Sequence, residues 1–383
     1  MKVTPYVKTR KGISAKERLV CNIINYMDEY KNTFETSSIW QKCNMMLLMF
    51  YEYIPDVDKG DFTIDEVIIY NFPAEDLVII KRDWETIMSK IKGGIAHEIS
   101  EGDTLYLGAC TKGSTSLTVR QQPFSEIPAK QRAYSLKQSY MTYILKTYVF
   151  GKKTDEHIIK DPALLREKGF EEYLMEKVSP YFGWSQMALL SEFGISTNSK
   201  NVNEIILAKI LGVTGRISRT DEFRKANIIP KTIRIQKNGR IKESMSFPTF
   251  QFTAIIHEEW EESELKNYLE PTKFMFVIFR ENHMGEFIFD RIKFWNISDE
   301  DLNEVQKVWE QTINTILKGV ELHYDGRVTR NNLPKRVDNP VAHVRPHGRN
   351  AQDTYPLPDG RHMTKQCFWF NNTYVKSIID EQP

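Results

Sequence analysis

Asn71-Phe72-Pro73-Ala74-Glu75-Asp76-Leu77, running on to Trp84-Glu85, Ile91 and Gly94, returns later in the chain as Asn296-Ile297-Ser298-Asp299-Glu300-Asp301-Leu302, running on to Trp309-Glu310, Ile316 and Gly319. Asn, Glu, Asp, Leu, Trp, Glu, Ile and Gly recur at the same spacings. A solenoid repeats every roughly 20–50 residues, far less than the separation here. Two whole domains of one fold are therefore expected. In the first copy Leu77, Ile80, Trp84, Ile87, Met88 and Ile91 fall three or four residues apart, which predicts an amphipathic helix over 74–92 ended by Gly93-Gly94. Trp84 and Trp309 lie on the apolar stripes of their helices, so core packing is expected of them, not base stacking.

Outward from this helix the pattern is mixed α/β. Residues 3–12 alternate like a strand feeding a turn at Lys11-Gly12, and 14–30 reads as a helix. Met45-Met46-Leu47-Leu48-Met49-Phe50-Tyr51 is wholly apolar and reads as a strand buried on both faces, with another strand at 63–71. A hairpin is expected around Lys112-Gly113-Ser114, joining 103–109 to 115–119, and a helix over 134–150. Gly151-Lys152-Lys153-Thr154-Asp155 is a polar break. Helices are expected over 170–193, interrupted at Pro180, and over 202–211. Strands follow at 231–235, 250–256, 273–279 and 287–295.

The chain's 383 residues suit two globular domains of about 100–200 residues each. Its 41% hydrophobic and 27% charged content is ordinary for packed proteins. No apolar run reaches the roughly 18–20 residues of a membrane span, and no leader pattern is visible. Cys21, Cys43, Cys110 and Cys367 are scattered, as expected of reduced thiols in a cytoplasmic protein. Net charge is only +1, so bulk composition does not announce a nucleic-acid binder. Residues 327–362 are locally basic, with Arg327, Arg330, Lys335, Arg336, Arg345, Arg349 and Arg361 against Asp338, Asp353 and Asp359. Such a loop suits either solvent or phosphates.

Lining up the halves sets Lys2-Val3-Thr4-Pro5 against Lys231-Thr232-Ile233-Arg234, the latter preceded by Glu222-Phe223-Arg224-Lys225-Ala226-Asn227-Ile228-Ile229-Pro230. Here the chain resembles the MutH mismatch-repair nuclease and the two-domain, GATC-cutting Type II restriction endonucleases of the Sau type. Their shared signature is an Asp, a Phe with a small-residue turn, then Glu-x-Lys opening a strand. Thr33-Phe34-Glu35-Thr36-Ser37 with Lys42, Asp83-Trp84-Glu85, and Tyr134 to Lys137 also look like segments of that family, in the right order.

The resemblance implies two tandem restriction-endonuclease-like domains, each a mixed central sheet flanked by helices. Residues 1–150 would be the catalytic-type domain lacking its N-terminal part, 151–165 a linker, and 166–383 a complete regulatory, DNA-binding domain. It implies Mg²⁺-dependent hydrolysis of double-stranded DNA at GATC, within a restriction-modification pair. Two carboxylates would hold the ion while a lysine orients or polarises the attacking water. Lys2 takes the position of that lysine, and Lys42 that of a second basic residue near the scissile phosphate. Met1 occupies the middle position of Glu-x-Lys, so the Asp and Glu would precede the chain and no metal ligand is assigned. In the second half Glu222 replaces the Asp, Ile229 stands at the Glu position, and Ala208 stands where another acid is usual. That half should not cleave.

The family's Arg-Pro-Lys loop is matched by Arg345-Pro346-His347-Gly348 and, more loosely, by Cys110-Thr111-Lys112-Gly113. An Arg there could read guanine bidentately in the major groove. Lys137-Gln138 and Lys365-Gln366 read as a pair at the start of each last helix, where lysine suits a phosphate clamp. His343, His347 and His362 are too irregularly spaced to suggest a metal cluster. The expectation is a GATC-specific nuclease, impaired in this chain, with a second DNA site on its second half and a dimer on DNA. The alternative is a non-catalytic GATC-binding regulator.

Overall fold

The computed structural model describes all residues except 10–11, 56, 114–117, 153–155, 162, 198, 200, 325, 327–328 and 382–383, and also omits the side chains of 9, 59, 166 and 167. Arg327, residues 114–117 of the expected hairpin and much of the polar break after Gly151 thus lie outside the described residues. The chain forms two compact units. The first contains residues 1–182, 187–231 and 271–275, and the second 183–186, 232–270 and 276–383.

In the first unit, β1 (Lys2–Thr9), β2 (Gly12–Ala15), β4 (Met46–Glu52) and β5 (Glu66–Tyr70) form a sheet in the order β2-β1-β4-β5. Only the β1–β4 pair is parallel, with Lys2 opposite Leu48. A second, antiparallel sheet has the order β3-β9-β6, from β3 (Leu19–Ile23), β6 (Leu107–Thr111) and β9 (Arg132–Leu136). Between β6 and β9 stands a separate hairpin of β7 (Val119–Gln122) and β8 (Ser125–Lys130).

The later strands repeat this arrangement. β10 (Ile228–Ile235), β12 (Lys273–Glu281) and β13 (Phe287–Trp295) form one sheet in the order β10-β12-β13. β11 (Met245–Phe250), β16 (Ala342–Pro346) and β19 (Gln366–Phe370) form another in the order β11-β19-β16. That is the order of β3-β9-β6. Two small hairpins complete the set, β14 (Leu322–Tyr324) with β15 (Thr329–Asn331) and β17 (Thr354–Pro356) with β18 (His362–Thr364).

The duplicated helices run Ala74–Lys92 and Asp299–Lys318. Trp84 is buried edge-on to Phe34 at 5.9 Å, and Trp309 is buried against Trp260 at 5.5 Å. A second repeated device precedes each partner helix. Ser37 Oγ donates to Phe34 O and accepts from Trp40 N, while Ser263 Oγ donates to Trp260 O and accepts from Lys266 N. Each serine thereby caps the first turn of its helix, Ser38–Cys43 or Glu264–Leu269.

Several sequence expectations are corrected. Residues 14–30 are not one helix: they give β2, β3 and a single turn at Tyr26–Glu29, because Leu19 and Cys21 bury with a period of two. β4 buries Met46, Leu48 and Phe50 but leaves Leu47 exposed, so it is covered on one face only. β12 is the strand that is buried throughout Lys273–Phe279. β6 pairs with β9, not with 115–119. Residues 134–150 begin as strand, then turn helical at Gln138–Ile144 with wider i→i+5 bonding over Leu145–Val149. The expected strand 250–256 is instead the end of β11 and a short helix, Phe252–Ile255. The basic stretch 327–362 carries strands β15 to β17 and the start of β18.

Candidate functional site

Lys2 opens β1, and its ammonium bridges to β3, donating to Val20 O at 2.7 Å and Cys21 O at 3.0 Å. Lys42 is exposed in the last turn of the helix Ser38–Cys43. Both bear on Cys43. Its thiol is held below the usual range by a hydrogen bond with Cys21, and then by the charges of Lys2 and Lys42, with burial opposing. The charges of Lys2 and Lys42 thus both reach the one thiol. Counted from the capping serine, Lys42 corresponds to Tyr268 in the second copy, which has no cation there.

A Mg²⁺ site of a nuclease is built on carboxylates, and none is hydrogen-bonded or ion-paired to Lys2 among the described residues. Lys2 meets carbonyls and two thiols, and makes no ion pair among the described residues. No group of three or more His, Cys, Asp or Glu that could hold a metal occurs among the described residues. The groups that meet Lys2 do not make a Mg²⁺ site.

The second copy of the motif is built into the first unit. Glu222 is buried, and its carboxylate accepts from Ile158 N at 3.2 Å and Ile159 N at 3.0 Å. His157 adds contacts to Asp221 at 3.4 Å and Glu222 at 3.8 Å. Burial pushes the Glu222 carboxyl up, but the hydrogen bond from His157 and those from the backbone outweigh it, leaving the pKa below the usual range. Glu222 is thus a chain tether. Ile229, at the position the motif gives to Glu, contributes an apolar wall to a cavity, while Ala208 lines a different one.

Lys137 is 2% exposed. It donates to Thr104 O at 2.6 Å, and burial pushes its pKa down to about 8. A phosphate contact would require that bond to break. Gln138 donates to Ala15 O at 2.9 Å and Lys16 O at 2.8 Å, holding β2. Lys112 and Gly113 are exposed beyond β6, with Lys112 N bonded to Gln131 O at 2.9 Å.

Lys365-Gln366 is not at a helix start, which corrects the sequence reading. It joins β18 to β19, and the last helix is Asn372–Asp380. The topological partner of Lys137, between last strand and last helix, is Asn371. Asn371 donates to Asn339 O at 2.8 Å and Pro340 O at 2.9 Å, just before β16, as Lys137 donates to Thr104 just before β6. Lys365 is paired with Asp353 at 2.5 Å, and Gln366 is buried and donates to Thr364 O.

Arg345, Pro346 and His347 form an exposed end of β16. The Arg345 guanidinium lies 4.8 Å from the Trp369 ring centre, and His347 meets the same ring at 5.2 Å. Trp369 also donates to Arg345 O at 3.3 Å. An indole under a guanidinium restricts its rotamers and keeps its donors outward. Arg345 is registered with Cys367, and strand alternation places Trp369, two residues on, on the same face as Arg345. His343 is buried against Asn371 Oδ1 at 2.6 Å, and burial lowers its pKa.

The family model of the DNA mismatch repair enzyme MutH matches residues 1–83. The Type II restriction enzyme Sau3AI of Staphylococcus aureus is 39% identical over 423 aligned residues, covering 100% of this chain and 86% of that protein. The chain belongs to the MutH-like, Sau-type restriction endonucleases. Members of this family are DNA endonucleases, which makes double-stranded DNA the substrate class and a divalent metal the usual requirement. The mixed α/β architecture with its repeated strand order agrees with that membership. No helix among the described residues is long and apolar enough to cross a membrane.

Proposed function

We propose that this chain is a GATC-recognising member whose first half holds the lysine side of the nuclease centre. Lys2 and Lys42 would face the scissile phosphate. Mg²⁺ dependence belongs to the same proposal through the family, although the described partners of Lys2 are backbone carbonyls and not carboxylates. Cleavage by these residues alone is accordingly expected to be impaired. We assign residues 1–150 to the catalytic-type copy and 166–383 to a regulatory copy binding a second GATC, with 151–165 between them, in a cytoplasmic protein that dimerises on DNA.

Arg345, Pro346 and His347 are the leading candidates for base contact, followed by Lys112 and Gly113. Lys137, Gln138, Lys365 and Gln366 would act on DNA only after releasing the partners described above. The observation that carries the proposal is kinship along the whole chain. The test is purified protein with Mg²⁺ and duplexes with and without GATC. Preferential binding of GATC with weak or no cutting is the expected result, and equal binding to both duplexes would refute the specificity.

A second reading, a GATC-binding regulator without catalysis, is favoured by the tethering of Glu222 to Ile158 and Ile159. It predicts unaltered DNA binding on removal of divalent ions and no cleavage at any Mg²⁺ concentration.

A further inference from the structure

Within the first unit lies an open cavity of about 570 Å³, whose lining includes Gln138 and, from the second copy of the motif, Phe223, Arg224 and Ile229. Its walls come from four separate stretches: β2 at Ser14, residues 138–152 after β9, residues 218–229, and Pro271. Lys146, Lys152 and Arg224 all line it. Asp221 is its only carboxylate among the described lining residues, and that group lies 3.4 Å from the His157 ring. Cations therefore outnumber anions among the described lining residues, whose other polar groups are hydroxyls, as in Ser14 and Thr147, and the amides of Gln138 and Asn227.

Like charges gathered in a half-buried recess repel each other. Burial, then Arg224 and Lys152, hold the Lys146 ammonium below its ordinary range, and burial does the same to Arg224. Lys146 is partly buried and Lys152 and Arg224 are exposed, so an anion could reach all three, and its charge would offset their repulsion. The backbone is also irregular at this point. Lys146 sits in the i→i+5 stretch Leu145–Val149, where Phe150 N bonds to Leu145 O at 3.1 Å, and Lys152 N folds back to Lys146 O at 2.9 Å. Such wide turns occur mostly at functional sites. The volume falls within the roughly 300–1,000 Å³ typical of small-ligand pockets.

We propose that the cavity bounded by Lys146, Lys152 and Arg224 binds a phosphate group, carried on DNA or on a free nucleotide. Lysine and arginine cations supply charge-assisted hydrogen bonds to phosphate oxygens, and the hydroxyls complete the shell. Only the DNA source rests on the family reading; a phosphate titration needs no DNA.

The test begins with the full chain titrated with inorganic phosphate against chloride at matched ionic strength, following the melting temperature. A saturable rise in phosphate alone is expected, with apparent affinity at least about tenfold weaker in Lys146→Gln and Arg224→Gln. Should either variant fail to fold, Lys152→Gln at the exposed rim must show the loss. Absence of a saturable response, or a response kept by all the variants, overturns the proposal. The salt dependence of binding to a duplex lacking GATC then separates the sources. A log–log slope lower by about one in the variants identifies DNA phosphate. An unchanged slope, with phosphate binding lost, identifies a free ligand. Loss of GATC preference would refute the specificity proposed above and leave the phosphate titration untouched.

Discussion

The Lys225 ammonium lies 2.8 Å from Asp76 Oδ1, and both side chains are buried. The pair joins the start of the duplicated helix to the segment that carries the second copy of the nuclease motif. The other Asp76 oxygen accepts from Tyr140, which bonds in turn to Tyr70, and Lys225 lies 4.1 Å from the Tyr143 ring centre. Burial pushes the Asp76 carboxyl up, with Lys225 and Tyr140 opposing. A buried charge left alone is costly, whereas a pair replaced by apolar groups is often neutral. Lys225→Met should therefore lower unfolding free energy by about 3–5 kcal/mol, and Asp76→Leu with Lys225→Met by clearly less than the sum of the singles. Urea denaturation of the four proteins measures this, and simple additivity would show that the pair is not coupled.

Lys2 and Lys42 should separate in stability. Lys2 makes two hydrogen bonds from β1 to β3, so Lys2→Ala should cost about 1–3 kcal/mol. Lys42 is exposed, and Lys42→Ala should change stability by no more than about 0.5 kcal/mol. Thermal melts of both variants, alongside cleavage assays, distinguish structural loss from loss at the reacting phosphate.

Arg345 is exposed and backed by Trp369. Arg345→Ala should weaken binding to GATC duplex by about 1–3 kcal/mol and flatten the preference over a scrambled duplex, with the melting temperature nearly unchanged. Fluorescence anisotropy on both duplexes provides the readout. A loss equal on the two would reassign Arg345 to the phosphates.

Lys137 should make stability depend on alkaline pH. Its folded pKa of about 8 lies below the ordinary value of about 10.4, so the folded state favours the neutral amine. The corresponding stability is full above about pH 10.4 and is lost as pH falls through about 8. Wild type should thus gain on Lys137→Met between pH 8 and 10, by on the order of 2–3 kcal/mol. Denaturation of both proteins across that range checks the sign.

The two glycines of the repeat should respond unequally. Gly94 has φ +71, and a Cβ there would come within 2.6 Å of Phe124 O. Gly319 has φ +95 with nothing within 4 Å. Gly319→Ala should cost about 1–2 kcal/mol from the left-handed backbone alone, and Gly94→Ala a further 1–3 kcal/mol or so from the clash. Equal melting shifts would mean that the loop at Phe124 yields.

The repeated helix was legible in the sequence because its apolar stripe, acidic first turn and terminal glycine all point to one element. β12 was legible for a similar reason, being apolar without interruption. β3 was not, since Leu19, Val20, Ile23 and Ile24 also satisfy helical spacing; only pairing with β9 decides in favour of strand. The match of Lys365-Gln366 to Lys137-Gln138 compared letters and missed topology, which pairs Lys137 with Asn371. Lys2 and Lys42 came from family resemblance alone, and no local pattern announces the carbonyls that Lys2 meets. The cavity of Lys146, Lys152 and Arg224 was invisible because Arg224 lies far in sequence from the two lysines, and only the fold brings it to them.

The single-sided burial of β4 has a practical outcome. Val3, Leu47, Val67 and Ile69 share the uncovered side of the first sheet across registered strands, with Val67 50% and Ile69 73% exposed. β5 is also an outer strand of that sheet, with backbone groups free of a neighbouring strand on one side. Greasy area of this sort sets a solubility ceiling. Light scattering should register self-association that grows with protein concentration and with kosmotropic salt, and that recedes when Ile69 is exchanged for lysine.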